Sequence, residues 1–115
     1  SSKVLILLLV NGHNGSEPGV FVNVKRNGTV VASHDDEGSV SYDTMLTGDI
    51  GLTTATTSSS TTGVILDSPS TTSAITYQAT VISASATTRT HYVNRPKTTG
   101  KNYGISTITA MEISA

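Results

Sequence analysis

Cysteine and tryptophan are both absent, and phenylalanine occurs once, at Phe21. Without cysteine the chain can form no disulfide and can offer no thiolate to a metal. With only Phe21 and four tyrosines as aromatics, the core must be built from Val, Ile and Leu, with Thr on half-buried sheet faces. Charged residues make up 13% of the chain, about half the usual share, and the net charge is −1. That balance gives no reason to expect nucleic acid or an anionic membrane as a partner. The longest apolar run, Val4 to Val10, is far too short to span a bilayer. It also lacks the basic region and small-residue cleavage site of a signal peptide.

Serine and threonine are abundant instead, at 36 of 115 residues, alongside 10 glycines. Apolar alternation persists through these polar stretches, so they are not low complexity of the disordered kind. The length suits one domain with one core. The start at Ser1-Ser2-Lys3, directly before the apolar run, suggests the C-terminal part of a longer protein.

The pattern along the chain is that of short strands. Val4–Val10 reads as a strand buried on both faces. Asn11–Gly19, with three Gly, two Asn and Pro18, reads as a loop. Val20, Val22 and Val24 alternate with Phe21, Asn23 and Lys25, giving one apolar face. Asn27-Gly28 is the type I′ hairpin pair, and Thr29–Ser33 is the return strand. His34–Gly38 is an exposed, charged loop. Strands are expected around Ser41–Thr47 and Gly51–Thr56, a polar turn over Ser58–Gly63, and a short buried strand over Val64–Leu66.

Thr72–Ile82 is the longest strand candidate, with Ile75, Tyr77, Ala79 and Val81 facing the core. Ser83–Arg89 reads as a loop, His91–Arg95 as a strand ended by Pro96, and Lys97–Asn102 as a polar loop. Tyr103–Ile113 closes the chain. Its Ile105, Ile108, Met111 and Ile113 call for burial, and it is expected to be a central strand. No stretch reads as a long amphipathic helix. Seven or eight strands with Gly/Asn/Ser turns indicate an all-β sandwich or jelly roll.

The chemistry-bearing residues are few. No Gly-x-Ser-x-Gly elbow occurs. Asp35 and Asp36 are adjacent and point opposite ways if extended, which does not suit a carboxylate pair across a cleft. His34-Asp35-Asp36-Glu37 could offer oxygen ligands to Ca²⁺, but it lacks the spacing of an EF-hand loop and reads as a solvated acidic turn. His13 has no second histidine at zinc-site spacing. No phosphate cradle and no basic–aromatic stripe is present. Neither enzymatic activity nor a cofactor nor a metal is expected.

Three blocks carry a family resemblance. They are Leu66-Asp67-Ser68-Pro69-Ser70-Thr71-Thr72-Ser73-Ala74-Ile75-Thr76-Tyr77, then Tyr92-Val93-Asn94-Arg95, then Gly104-Ile105-Ser106-Thr107-Ile108-Thr109-Ala110-Met111-Glu112-Ile113. Together they resemble the C-terminal jelly-roll (TNF-like) domains of virion fibre and appendage proteins of tailed bacteriophages. The resemblance implies an antiparallel jelly-roll sandwich, a homotrimer, and a place on the exterior of a phage particle among other virion proteins. It implies no catalytic residues, nucleic-acid binding or membrane insertion.

It further implies attachment to a host-surface glycan or protein through loops, with His13, Asn14, Glu17, Asp35, Asp36, Glu37, Arg89, Lys97, Lys101 and Tyr103 as candidate contacts. A structural role in capsid decoration, a collar or a head fibre is the alternative. Asp67, Pro69, Tyr77, Asn94, Arg95 and Glu112 are the framework residues of the three blocks. Asp67-Ser68-Pro69 can form a side-chain-capped turn. Arg95 is expected to pair with Glu112 or Asp67, and Glu112 to be paired or outward-facing.

Overall fold

The computed structural model describes residues 2–14, 20–31, 58–83, 90–98 and 103–114. These residues form seven strands and no helix: β1 (Lys3–Asn14), β2 (Val20–Arg26), β3 (Thr29–Val30), β4 (Ser59–Asp67), β5 (Tyr77–Ser83), β6 (His91–Val93) and β7 (Thr107–Ile113). They build two antiparallel sheets. One holds β4, β1, β6 and β7, and the other runs β3-β2-β5.

The central strand is β1, not the closing strand. It pairs with β4 along one edge, from Val4↔Asp67 to Gly12↔Ser59. Along the other edge, β7 pairs with Lys3–Leu9 and β6 with Gly12–Asn14. β6 and β7 therefore lie end to end against the same side of β1. A strand bonded on both sides suits an uninterrupted β-branched and leucine run, and this explains why β1 extends through Asn14 where a loop was expected. β4 likewise absorbs the Ser/Thr stretch 59–62, whose hydroxyl side chains fit a half-exposed pleated surface, and Gly63 after it. The strand expected over 72–82 begins only at Tyr77. Residues 68–76 instead cross from one sheet to the other.

Period-two alternation places Ile6, Leu8 and Val10 of β1 and Ile65 of β4 toward Val22 and Val24 of β2, and these six form the buried core. The two sheets thus face each other across one apolar layer, an arrangement consistent with a β-sandwich. Asn27 and Gly28 take positive φ values of 48° and 87°, as the type I′ turn requires. Asn27 also pairs with Thr76 in both directions: its N–H donates to the Thr76 carbonyl, and its side-chain oxygen accepts the Thr76 N–H, both at 2.9 Å. That extends the β2–β5 ladder by one pair.

On the other face of β2, Asn23 is fully buried and accepts a hydrogen bond from Thr80. The strands expected around 41–47 and 51–56 lie outside the described residues; the return strand expected over 29–33 is seen as β3 at Thr29–Val30, with Val31 N–H donating to the Val24 carbonyl, and residues 32–33 lie outside the described residues.

Candidate functional site

Asp67 sits at the last position of β4, where the chain leaves the first sheet, and Tyr77 opens β5, where it enters the second. Arg26 ends β2 directly opposite Tyr77. The three meet between the sheets. Arg26 Nη1 lies 2.9 Å from both Asp67 oxygens, and the Tyr77 hydroxyl donates to Asp67 Oδ2 over 2.7 Å. Asp67 is buried, and three donated bonds compensate its desolvated charge. The Tyr77 hydroxyl is pushed up to about 12 by burial, then by its bond to the Asp67 carboxylate and that group's charge, with Arg26 opposing.

The Asp67-Ser68-Pro69 block is therefore more than a capped turn. Its carboxylate clamps the two ends of the 68–76 crossover and ties one sheet to the other. Arg26, which the sequence reading did not select, is the partner. The expected pairing of Asp67 with Arg95 is not formed.

Arg95 lies 4.4 Å from the centre of the Tyr92 ring, a cation–π contact. On β1, His13 meets the same ring edge-on, with centroids 6.2 Å apart. His13 is only 4% exposed and belongs to a strand, so it is not presented by a loop. Asn14 is the strand's last residue, paired in register with His91. Pro96 is buried.

Asn94 has a positive φ of 61°. Its N–H donates to the Asn11 carbonyl over 2.8 Å, its carbonyl accepts the Gly104 N–H, and its side-chain oxygen accepts the Ser106 hydroxyl over 2.6 Å. Ser106 Oγ accepts the Asn11 N–H at 3.0 Å. Asn94 and Ser106 thus satisfy the backbone of Asn11, which falls in the gap between β6 and β7.

Glu112 shares a row with Val4 and Asp67 across the first sheet, so it points to the same side as Asp67. It is exposed at the mouth of an open groove lined by Val4, Pro69, Thr71, Ile75 and Tyr77. Of the two expectations for Glu112, paired or outward-facing, the pairing is not formed: among the described residues it makes no ion pair. Lys97 and Tyr103 are exposed. Glu17, Asp35, Asp36, Glu37, Arg89 and Lys101 lie outside the described residues.

The remaining prominent surface is the outward side of the first sheet. β7 is exposed along its whole length, with Met111 and Ile113 among its open apolar side chains, where burial was expected. Val64 and Leu66 of β4 are 65% and 52% exposed.

Among the described residues no group of three or more His, Asp or Glu side chains is placed to hold a metal. Comparison with protein-family models, with curated proteins and with solved structures finds no match.

Proposed function

We propose that the chain is an external structural domain of a tailed-bacteriophage particle. In this reading it is a homotrimeric jelly-roll domain at the tip of a tail fibre or appendage, contacting the host surface through its loops. The observation that carries the reading is how the three resembling blocks are used. Asp67 clamps the crossover, Asn94 and Ser106 close the ladder beside Asn11, and β7 completes the sheet on β1. Residues spent on internal hydrogen bonds serve a scaffold, which suits a family whose shared residues are structural and whose loops vary.

The connectivity supports the finer fold. The β2–β5 pair is nested within the sequence span of the β1–β7 pair, and the chain crosses between the sheets, as a jelly roll does. A second reading, a decoration, collar or head-fibre protein, draws on the open apolar sheet face, which suits protein–protein contact better than a soluble receptor tip.

The test is location combined with competition. The tip reading expects the chain at the distal end of an appendage in a reconstruction of the phage particle, and expects the purified chain to block adsorption. Density on the capsid lattice without any block favours the decoration reading. Absence of the chain from purified particles overturns both.

A further inference from the structure

Ala110 and Glu112 of β7 stand in register with Ile6 and Val4 of β1, on the face of the first sheet that turns toward the second. Both are nevertheless exposed. Between this inner side of β7 and the crossover runs a groove of about 1070 Å³, a generous size for a ligand site.

The chemistry of the groove is one-sided. Glu112 is the sole charged residue among those described as lining it. Asp67, in the same row of the sheet, is matched by Arg26, and alternation puts Lys3 on the opposite face, so neither neutralises Glu112. The Tyr77 hydroxyl hydrogen already goes to Asp67, which leaves only oxygen lone pairs for a ligand. Along the crossover, Ser70, Thr71, Thr72 and Ser73 put four exposed hydroxyl residues in succession. Thr71 Oγ1 accepts the Ser73 N–H over 3.1 Å, which folds this wall into a turn. Val4, Ile75 and Ala110 supply an aliphatic lining.

We infer that this groove binds a saccharide bearing a free amino group, with the ammonium on Glu112 and the ring against the hydroxyl wall. An ammonium brings three donors and a positive charge to a groove in which Glu112 and Tyr77 both offer acceptors. The sugar hydroxyls exchange hydrogen bonds with residues 70–73, which donate and accept, and the C–H face of the ring covers the aliphatic lining. A lysine peptide matches the charge alone. Its side chain is an apolar stem with one polar tip and leaves the hydroxyl wall unused. The groove is separate from the loop contacts of the tip reading, and the inference does not depend on a place in a phage particle.

The experiment titrates the full 115-residue chain with the glucosamine trisaccharide and follows backbone amide shifts. Ligand runs from about 0.1 to 10 mM, a range that brackets a millimolar dissociation constant. Shifts are expected at Ser70–Ile75 and Ala110–Glu112. The N-acetylglucosamine trisaccharide has the same rings without the charge. It is expected to bind about fivefold more weakly, the scale of one exposed ion pair. Glu112→Gln is expected to weaken the glucosamine trisaccharide by that factor and to leave the acetylated one unchanged. Ala110→Leu, which narrows the groove, is expected to weaken both. Thr109→Val, on the opposite face of the sheet, is expected to change nothing. Glu112 is exposed and makes no ion pair among the described residues, so E112Q should keep the wild-type amide spectrum away from the groove.

No shift with the glucosamine trisaccharide overturns the inference, as do shifts confined to other residues. An E112Q chain that still prefers the free amine overturns it too. Trilysine binding at least as tightly, with the same sensitivity to E112Q, shows that the groove reads charge alone and overturns the saccharide assignment.

Discussion

Ser106 donates its hydroxyl to the side-chain oxygen of Asn94 across 2.6 Å, and the pair sits directly over Asn11 of the central strand. Twelve residues separate the two in sequence. Their meeting lets β6 and β7 share one edge of β1 without leaving the backbone between them unsatisfied.

Substitution at Asn94 follows from that geometry. Asn94→Ala loses the side-chain acceptor and with it the short polar side chain that lets asparagine tolerate the left-handed region, where an ordinary L-residue costs about 1–2 kcal/mol. With the lost hydrogen bond, worth about 1 kcal/mol net, a total of about 2–3 kcal/mol is expected. Asn94→Gly keeps the backbone and should lose only about 1 kcal/mol. Urea unfolding of the two variants checks the order. Equal losses would show that the positive φ is not the controlling factor.

Gly104 and Asn11 form a tight pair. A Cβ at position 104 would collide with the Asn11 side-chain amide. Gly104→Ala is expected to destabilise by about 1–3 kcal/mol, the usual cost of overpacking. The clash disappears when Asn11 is shortened. In a double-mutant cycle, N11A/G104A should therefore be less destabilised than the sum of the singles by about 1 kcal/mol or more. Simple additivity would contradict the contact.

The Asp67 clamp predicts an alkaline signature. The Tyr77 hydroxyl is raised to about 12 in the folded state, against an ordinary value of 10.0. The unfolded chain then loses its proton first as pH rises, so this contribution is complete below pH 10 and is lost between there and about 12. Tyr77→Phe should remove that difference, at a cost of about 1–2 kcal/mol at neutral pH for leaving an Asp67 oxygen short of a donor. Asp67→Asn should cost more, about 2–3 kcal/mol, because it also leaves the Arg26 charge unmatched. Parallel melts of wild type and Y77F from pH 9 to 12 give the comparison. Identical slopes would dismiss the bond.

His91 predicts the opposite limb. Its ring nitrogens are buried without hydrogen-bond partners, beside a small cavity bounded by Val10, Val81 and Val93. Burial lowers its pKa below 6.5. The folded state therefore favours the neutral ring. Its contribution is present above pH 6.5 and is lost as pH falls from there through the lower folded value. Wild type should lose stability between pH 7 and 5 more steeply than His91→Gln. Matching slopes in denaturant titrations would rule this out.

The sequence by itself determined the chemistry of the elements. Continuous apolar residues made β1 a strand, strict alternation made β2 one, and Asn27-Gly28 fixed the hairpin, because these signals are local: side-chain period and backbone φ preference.

Only the tertiary structure decided which strand is central, that Asp67 bonds Arg26 and not Arg95, that Ser59–Gly63 continues a strand, and that Ile113 and Met111 face outward. Each of these depends on register between segments tens of residues apart. One strand's period says that it has two faces; what lies against each face is set by its neighbours. Val4–Val10 carries apolar side chains on both sides for that reason, and only the fold showed that a single side is spent on the core.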